Sequence, residues 1–234
     1  MVPAQQLVAE LHLLLRRLTA GDQPEALEQL CIAACRVLAA EAATVVLVDE
    51  AGRPIPAASS DPRARLVASL QCRLGAGPST RAVEEGRLVV VDDLGREVDR
   101  WLDVAATALL AGLRSVVAVP LHDGDTPIAS LELYGREPLS DPRRLAAAEV
   151  LADAAACVVV VGRRQQRSQE LIEQLQRALD RRVVVEQAKG MLAERLGLAP
   201  EEAYERLRRH ARDHNHRVIE LARAVLAGEA PDPR

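Results

Sequence analysis

The sequence predicts an α+β module followed by an all-helical one. Strand-like runs at Ala42–Val48, Ser115–Leu121 and Pro127–Tyr134 fall only in the first 162 residues. The last two flank the short polar turn His122-Asp123-Gly124-Asp125, and strands joined so tightly pair antiparallel. After Gly162 strand signals vanish while helical periodicity continues. The expected division is 1–162, with a core of about 20–162, and 163–234.

The elements follow in order. Leu7, Leu11, Leu14, Leu15 and Leu18 form one stripe of a helix over 4–19, and Pro24 opens a second helix running to about Ala40. Ala42–Val48 is a β-branched strand ending in an Asp-Glu-Ala-Gly turn. Arg53–Ser59 is its hairpin partner, placed at an edge by two prolines. Gly75-Ala76-Gly77-Pro78 is a loop, Ser79–Glu85 a short helix stopped by Gly86, Leu88–Val91 a strand and Val98–Leu110 a helix. From Ser140, with Asp141 and Pro142 favouring an N-terminus, a helix runs without Gly or Pro to Gly162. Arg163–Leu196 is helical and ended by Gly197; Pro200–Asp213 is a second helix with Glu201 and Glu202 in its first turn. A third, with Asn215 as candidate cap, carries Val218, Leu221, Ala222 and Val225 and ends at Gly228. Helices this short form a small three-helix bundle tied to a stalk.

Composition excludes several classes. Of 30 basic residues 29 are Arg and one is Lys189, and Asn215 is the only Asn. Residues 1–162 carry a net charge of −7 and residues 163–225 a net of +4, which points the second module toward an anionic partner or leaves it an Arg-rich solvated surface. The longest uninterrupted apolar runs fall short of the roughly 20 residues that span a bilayer, and no basic, then apolar leader opens the chain. Cys31, Cys35, Cys72 and Cys157 make no CxxC pair and no zinc spacing, so they read as thiols in a reducing, cytoplasmic compartment, with no metal and no cofactor. The Gly75–Pro78 loop lacks the strand, GxGxxG and helix order of a phosphate cradle. Asp49 and Glu50 lack the later-strand lysine of a phospho-acceptor receiver. Neither His12 nor His122 has a nucleophile nearby, so no catalytic residue is expected.

Leu74-Gly75-Ala76-Gly77-Pro78, the Arg87–Leu94 strand with its Asp-Asp, Ser115–Leu121 and Ile128–Tyr134, in that order, resemble a GAF domain over about residues 20–162. The resemblance implies a sensor and dimerisation module with a pocket over one sheet face. Gly75, Gly77 and Ser79 are the candidate pocket residues for an unidentified small molecule. Ser79 stands where related sensors often carry Cys, which weakens thiol-based redox sensing, and the absence of paired-Cys chemistry leaves a GAF-type sulfoxide reductase as a distant alternative.

Residues Leu175–Leu192, with the run Glu186-Gln187-Ala188-Lys189-Gly190, and Pro200–Ala211 are similar to an ANTAR output domain over about 168–227. That resemblance implies a homodimer that binds paired hairpin loops in nascent RNA and prevents a terminator from forming. The candidate RNA contacts are Arg182, Gln187, Lys189, Gly190, Tyr204, Arg208 and Arg209.

The helical wheel agrees with this. Val184, Ala188, Met191 and Leu192 form the buried stripe with Val185 and Leu196 at its edge, and Arg182, Glu186 and Lys189 align beside it. Gly190 inside a helix costs about 1 kcal/mol against Ala; close approach of RNA or a tight helix–helix crossing would account for it. Tyr204 either stacks on a loop base or sits at the core edge. Arg209 and Arg212 point to solvent on their helix, so solvated charge is their default reading. Lys189, the one Lys among 29 Arg, marks either a contact that wants a compact ammonium or a lysine snorkelling from the core edge. With Trp101, Tyr134 and Tyr204 the only aromatics, a broad stacking platform is excluded, so recognition rests on shape, phosphate and cation contacts. Leu171, Leu175 and Ala178 at 4-then-3 spacing suggest a short coiled coil. The rival readings are a DNA-binding helix-turn-helix, imitated by His214-Asn215-His216-Arg217, and a protein-interaction module.

Overall fold

The computed structural model describes residues 23–229. The expected helix over 4–19 lies outside them. The chain divides into two compact units after Arg164.

In the first unit, α1 (Gln23–Leu38) leads into β1 (Ala42–Val48) and β2 (Pro54–Ser59). α2 (Pro62–Leu74), α3 (Pro78–Glu85), β3 (Val89–Val91), a 3-10 turn at Leu94–Arg96 and α4 (Leu102–Leu110) follow, then β4 (Ser115–Asp123) and β5 (Thr126–Gly135). The sheet order is β2-β1-β5-β4-β3 with every pairing antiparallel, so the α+β reading holds. β2 with its prolines lies at an edge. Alternation sorts the faces. Ala43, Val45, Val117, Val119, Leu131 and Leu133 join α1 and the start of the next helix in one core. Val116, Ala118 and Tyr134 join α2, α3 and α4 in another.

Two boundaries differ from expectation. Residues 62–74 carry no predicted element, yet form α2: the Asp61 carboxylate caps Arg63 N at 2.8 Å, and Ala64, Val67, Ala68 and Gln71 make the inward stripe. The predicted helix over 98–110 begins only at Leu102, because a 3-10 turn capped by Asp93 precedes it.

α5 (Pro142–Leu196) is a single helix of 55 residues, where the sequence predicts a break at Gly162. One glycine lowers helix propensity by about 1 kcal/mol and does not end this helix. Its preceding turns are packed in the core, and the next residue, Arg163, donates to the carbonyls of Val48 and Ile128. α5 is long and apolar enough, by length and composition, to cross a membrane, and 44% of its apolar window is buried within the structure. Counting only uninterrupted apolar runs misses this. Leu151, Ala152, Ala155, Val158 and Val159 belong to the first unit's core, which accounts for the composition.

The second unit consists of the rest of α5, α6 (Pro200–Asp213) and α7 (Val218–Ala227). α5 ends where Gly197 takes φ +64°. Ala188, Leu192, Ala203, Leu207, Ala211, Leu221, Ala222 and Val225 form its core, the i, i+4 rows of three short amphipathic helices. Asn215 is not the cap of α7. It takes φ +53° in the turn, a left-handed position that Asn tolerates, and Arg217 precedes the first helical residue.

Candidate nucleic-acid interface

The last turns of α5 and the first turns of α6 enclose a groove of about 530 Å³, lined by Arg181, Arg182, Val185, Glu186, Lys189, Glu201, Tyr204 and Glu205. Three of the seven predicted contacts, Arg182, Lys189 and Tyr204, therefore meet in one place. The core positions build it: Ala188 and Leu192 turn inward, which sets Val185 and Lys189 at the rim.

Lys189 is not a free cation. Its Nζ lies 2.6 Å from Glu186 Oε2 and 3.9 Å from Glu201 Oε1, and its side chain is only 20% exposed. The hydrogen bond to Glu186 raises its pKa, with partial desolvation opposing. Both sequence readings survive in part, since the stem lies along the core edge while the ammonium faces the groove. Three cations stand there against three carboxylates, so the groove has no excess positive charge. Glu186, three residues before Lys189, is legible from spacing; Glu201 and Glu205 are not, because only the turn after Gly197 brings them near.

A side chain at Gly190 would meet nothing within 4 Å. No helix of this chain crosses closely there, which removes that explanation for the glycine among the described residues. Gln187 lines a shallower hollow of about 420 Å³ with Leu179, Arg182, Val183 and Glu186. Arg208 lies one turn beyond Tyr204 and 3.9 Å from Glu205. Arg209 is exposed on a different face of α6, about 140° round from Tyr204, and takes no part in the groove.

The turn 214–217 has the length of a helix-turn-helix, but the helix after it does not suit base reading. Its first turn is Val218, Ile219 and Glu220, two aliphatics and an acid that phosphate would repel.

In the first unit, Ser79 and Gly77 are buried and Gly75 caps α2 in the exposed loop. Ser79 is turned inward: its N–H donates to Gln71 Oε1 at 3.0 Å and its hydroxyl lies 2.7 Å from Ser130 Oγ. Gln71 Nε2 donates to Glu132 Oε1 at 2.7 Å and to the Tyr134 hydroxyl at 3.0 Å, and Thr44 donates to Glu132 Oε2 at 2.9 Å. Gln71, Ser79, Ser130, Glu132 and Tyr134 are each at most 1% exposed. Burial raises the Glu132 pKa against these hydrogen bonds. The strand Ile128–Tyr134 signals this network, since Ser130, Glu132 and Tyr134 share one face of an otherwise apolar run. Sequence reasoning missed it. A cavity of about 570 Å³ lies elsewhere in the unit, lined in part by Arg87, His122, Glu149 and Asp153. Burial lifts the Cys72 thiol to about 11, and also raises those of Cys31 and Cys35.

The GAF domain family matches residues 20–160 and the ANTAR domain family residues 173–226. Over 56 residues, 24% of this chain, the sequence is 41% identical to the nitrate regulatory protein of Klebsiella oxytoca, of whose length the match spans 14%. Among solved structures, the fold is similar to the free methionine-R-sulfoxide reductase of Neisseria meningitidis in complex with its substrate (TM-score 0.52, 16% identity, 70% of this chain and 96% of that one). It is also similar to the GAF domain of a phosphoenolpyruvate-protein phosphotransferase from Coxiella burnetii (TM-score 0.51, 15% identity, 70% and 98%). At such identities these likenesses concern the fold alone. With a GAF match over more than half its length and an ANTAR match over its second unit, the chain belongs to the GAF domain family and carries an ANTAR domain.

Proposed function

We propose that the protein is a signal-responsive transcription antiterminator whose GAF unit controls an ANTAR unit that binds hairpin loops in nascent mRNA. The observation that carries this reading is the groove where Arg182, Lys189 and Tyr204 converge inside the ANTAR match. A half-buried aromatic ring beside an ammonium and paired donors and acceptors suits an unstacked loop nucleotide better than a uniform phosphate track. The similarity to a nitrate regulatory protein over this stretch supports a regulatory role.

The protein acts as a homodimer in the cytoplasm. From Arg164 to Val183 every residue of α5 is exposed, including Leu171, Ile172, Leu175 and Leu179. A second copy covers that apolar stripe. The GAF unit serves as a sensor rather than a catalyst; burial holds the Cys72 and Cys35 thiols away from the reactive thiolate form. A small-molecule ligand at Gly75, Gly77 and Ser79 would have to enter through the buried Gln71–Ser79–Glu132 network, and this exchange is how a signal would be registered. Sequencing RNA that co-purifies with the protein tests the reading. Enrichment of hairpin-loop transcripts is expected, and RNA without such enrichment, or none, overturns it.

A further inference from the structure

The ten residues from Arg208 to Arg217 hold four arginines, three of the chain's five histidines and a single acid, Asp213. None of them lines the groove. They converge at the junction of α6 and α7. His210 and His214 stack with centroids 4.1 Å apart and planes 25° from parallel, and His216 continues at 6.5 Å. The backbone is fixed there: His214 N donates to His210 O at 3.2 Å, Asn215 N to Arg212 O at 3.2 Å and His216 N to Ala211 O at 2.8 Å. These bonds occupy the carbonyls that end α6, so its negative pole is not left bare toward an anion.

The arginines here differ from those around them. Arg206 faces Glu202 at 3.6 Å and Arg208 faces Glu205 at 3.9 Å. Among the described residues the guanidinium groups of Arg209, Arg212 and Arg217 have no carboxylate within 4.0 Å, and all three residues are exposed; the nearest acid to Arg217, Glu220, accepts from its backbone N–H at 3.4 Å. The groove is charge-balanced, whereas this junction carries a local excess of positive charge. An exposed guanidinium with no internal partner presents its full fork of donors, the geometry that matches a phosphate. The imidazole stack adds flat faces on which an unpaired base can rest. From Tyr204 to Arg212 is eight helical residues, about 12 Å, a span of three or four nucleotides at the spacing of a stacked strand.

We propose that the α6–α7 junction is a second RNA contact, at which Arg209, Arg212 and Arg217 hold the phosphates of nucleotides flanking a loop seated in the groove. This rests on the RNA-binding reading above. It divides the labour: the groove holds a base and contributes little salt dependence, while the junction holds phosphate and contributes most of it.

The test replaces Arg209, Arg212 and Arg217 with Gln in the full chain and measures its affinity for a hairpin RNA across a potassium chloride series. Each phosphate contact adds about 0.7 to the slope of log affinity against log salt for a single strand. The triple variant should therefore lose about 2 from that slope, and Arg212→Gln alone about 0.7, a single exposed change that leaves folding intact. Arg96→Gln, in the GAF unit and 86% exposed, should leave it unchanged. A triple variant with parental affinity and slope overturns the junction contact while RNA binding stands. A parent that binds no hairpin overturns both. Equal slope loss on duplex DNA also overturns it, because the junction would then be a general polyanion surface.

Discussion

Replacing Glu132 with Ala should be among the most damaging single changes in the GAF unit. The carboxylate accepts from Gln71 Nε2 at 2.7 Å and from Thr44 Oγ1 at 2.9 Å in a fully buried site. Its removal leaves an amide and a hydroxyl unsatisfied in an apolar interior, at about 1–3 kcal/mol each. The Thr44 hydroxyl can rotate toward another acceptor, so the sum is about 2–4 kcal/mol. For a unit of this size that lowers the melting temperature by about 6–12 °C. Glu132→Gln keeps the shape and one acceptor and should cost about 1 kcal/mol at low pH. Its pH behaviour separates the two forms. Burial raises the pKa of Glu132, so above the unfolded value near 4.3 the folded state holds a proton that the unfolded chain has lost. Stability from this group is fully present below that pH and falls as pH rises through the folded pKa. Asp49, Asp61 and Glu85 have lowered pKa values and act oppositely, which is why the comparison with Gln is needed. Melting followed by circular dichroism from pH 4 to 7 should show the parent losing stability relative to Glu132→Gln as pH rises. A gap independent of pH, or an Ala variant within 1 kcal/mol of the parent, would refute the reasoning.

Other expectations follow from the same geometry. Lys189→Ala and Lys189→Arg should each weaken hairpin binding about ten- to a hundredfold with an unchanged melting temperature, since the rim is held by Val185 and Ala188. Glu186→Gln, which removes the closest partner of Lys189, should tighten binding; fluorescence anisotropy reads all three. Gly77→Ala, at φ +143° with its new methyl 2.2 Å from Gln71 Oε1, should cost about 1–3 kcal/mol in backbone strain plus a clash with Gln71; a Gln71→Ala background should remove the clash and leave the strain, as a double-mutant cycle in denaturant would report. Light scattering at tens of micromolar should give a dimer for the parent and a monomer for Leu175→Arg/Leu179→Arg; a monomeric parent would sink the dimer.

Much of the fold was legible. Strand alternation and the His122–Asp125 turn gave the antiparallel sheet, and Gly197 and Pro200 marked the turn between α5 and α6. The long helix runs through Gly162 because a single glycine is weak against the core packing of Leu151–Val159 and the tertiary hydrogen bonds of Arg163, which the local sequence does not display. α2 was missed since its inward stripe is largely Ala and Gln, residues with little hydrophobic contrast. At the site, residues on one helix could be grouped by periodicity, hence Arg182 and Lys189. The acids that neutralise them, Glu201 and Glu205, arrive by tertiary contact. The network of Gln71, Glu132 and Thr44 is likewise non-local, joining residues 61 and 88 positions apart.

The central claim is that the groove of Lys189 and Tyr204 seats an unpaired nucleotide of an RNA hairpin. Equilibrium binding of an enriched hairpin, competed with a duplex RNA of the same length lacking the loop and repeated with Tyr204→Leu, tests it most directly. The account predicts that the loop-less duplex competes poorly and that Tyr204→Leu loses affinity by about 1–3 kcal/mol, the worth of one stacked base. Equal competition by the duplex, together with undiminished binding by Tyr204→Leu, would contradict it.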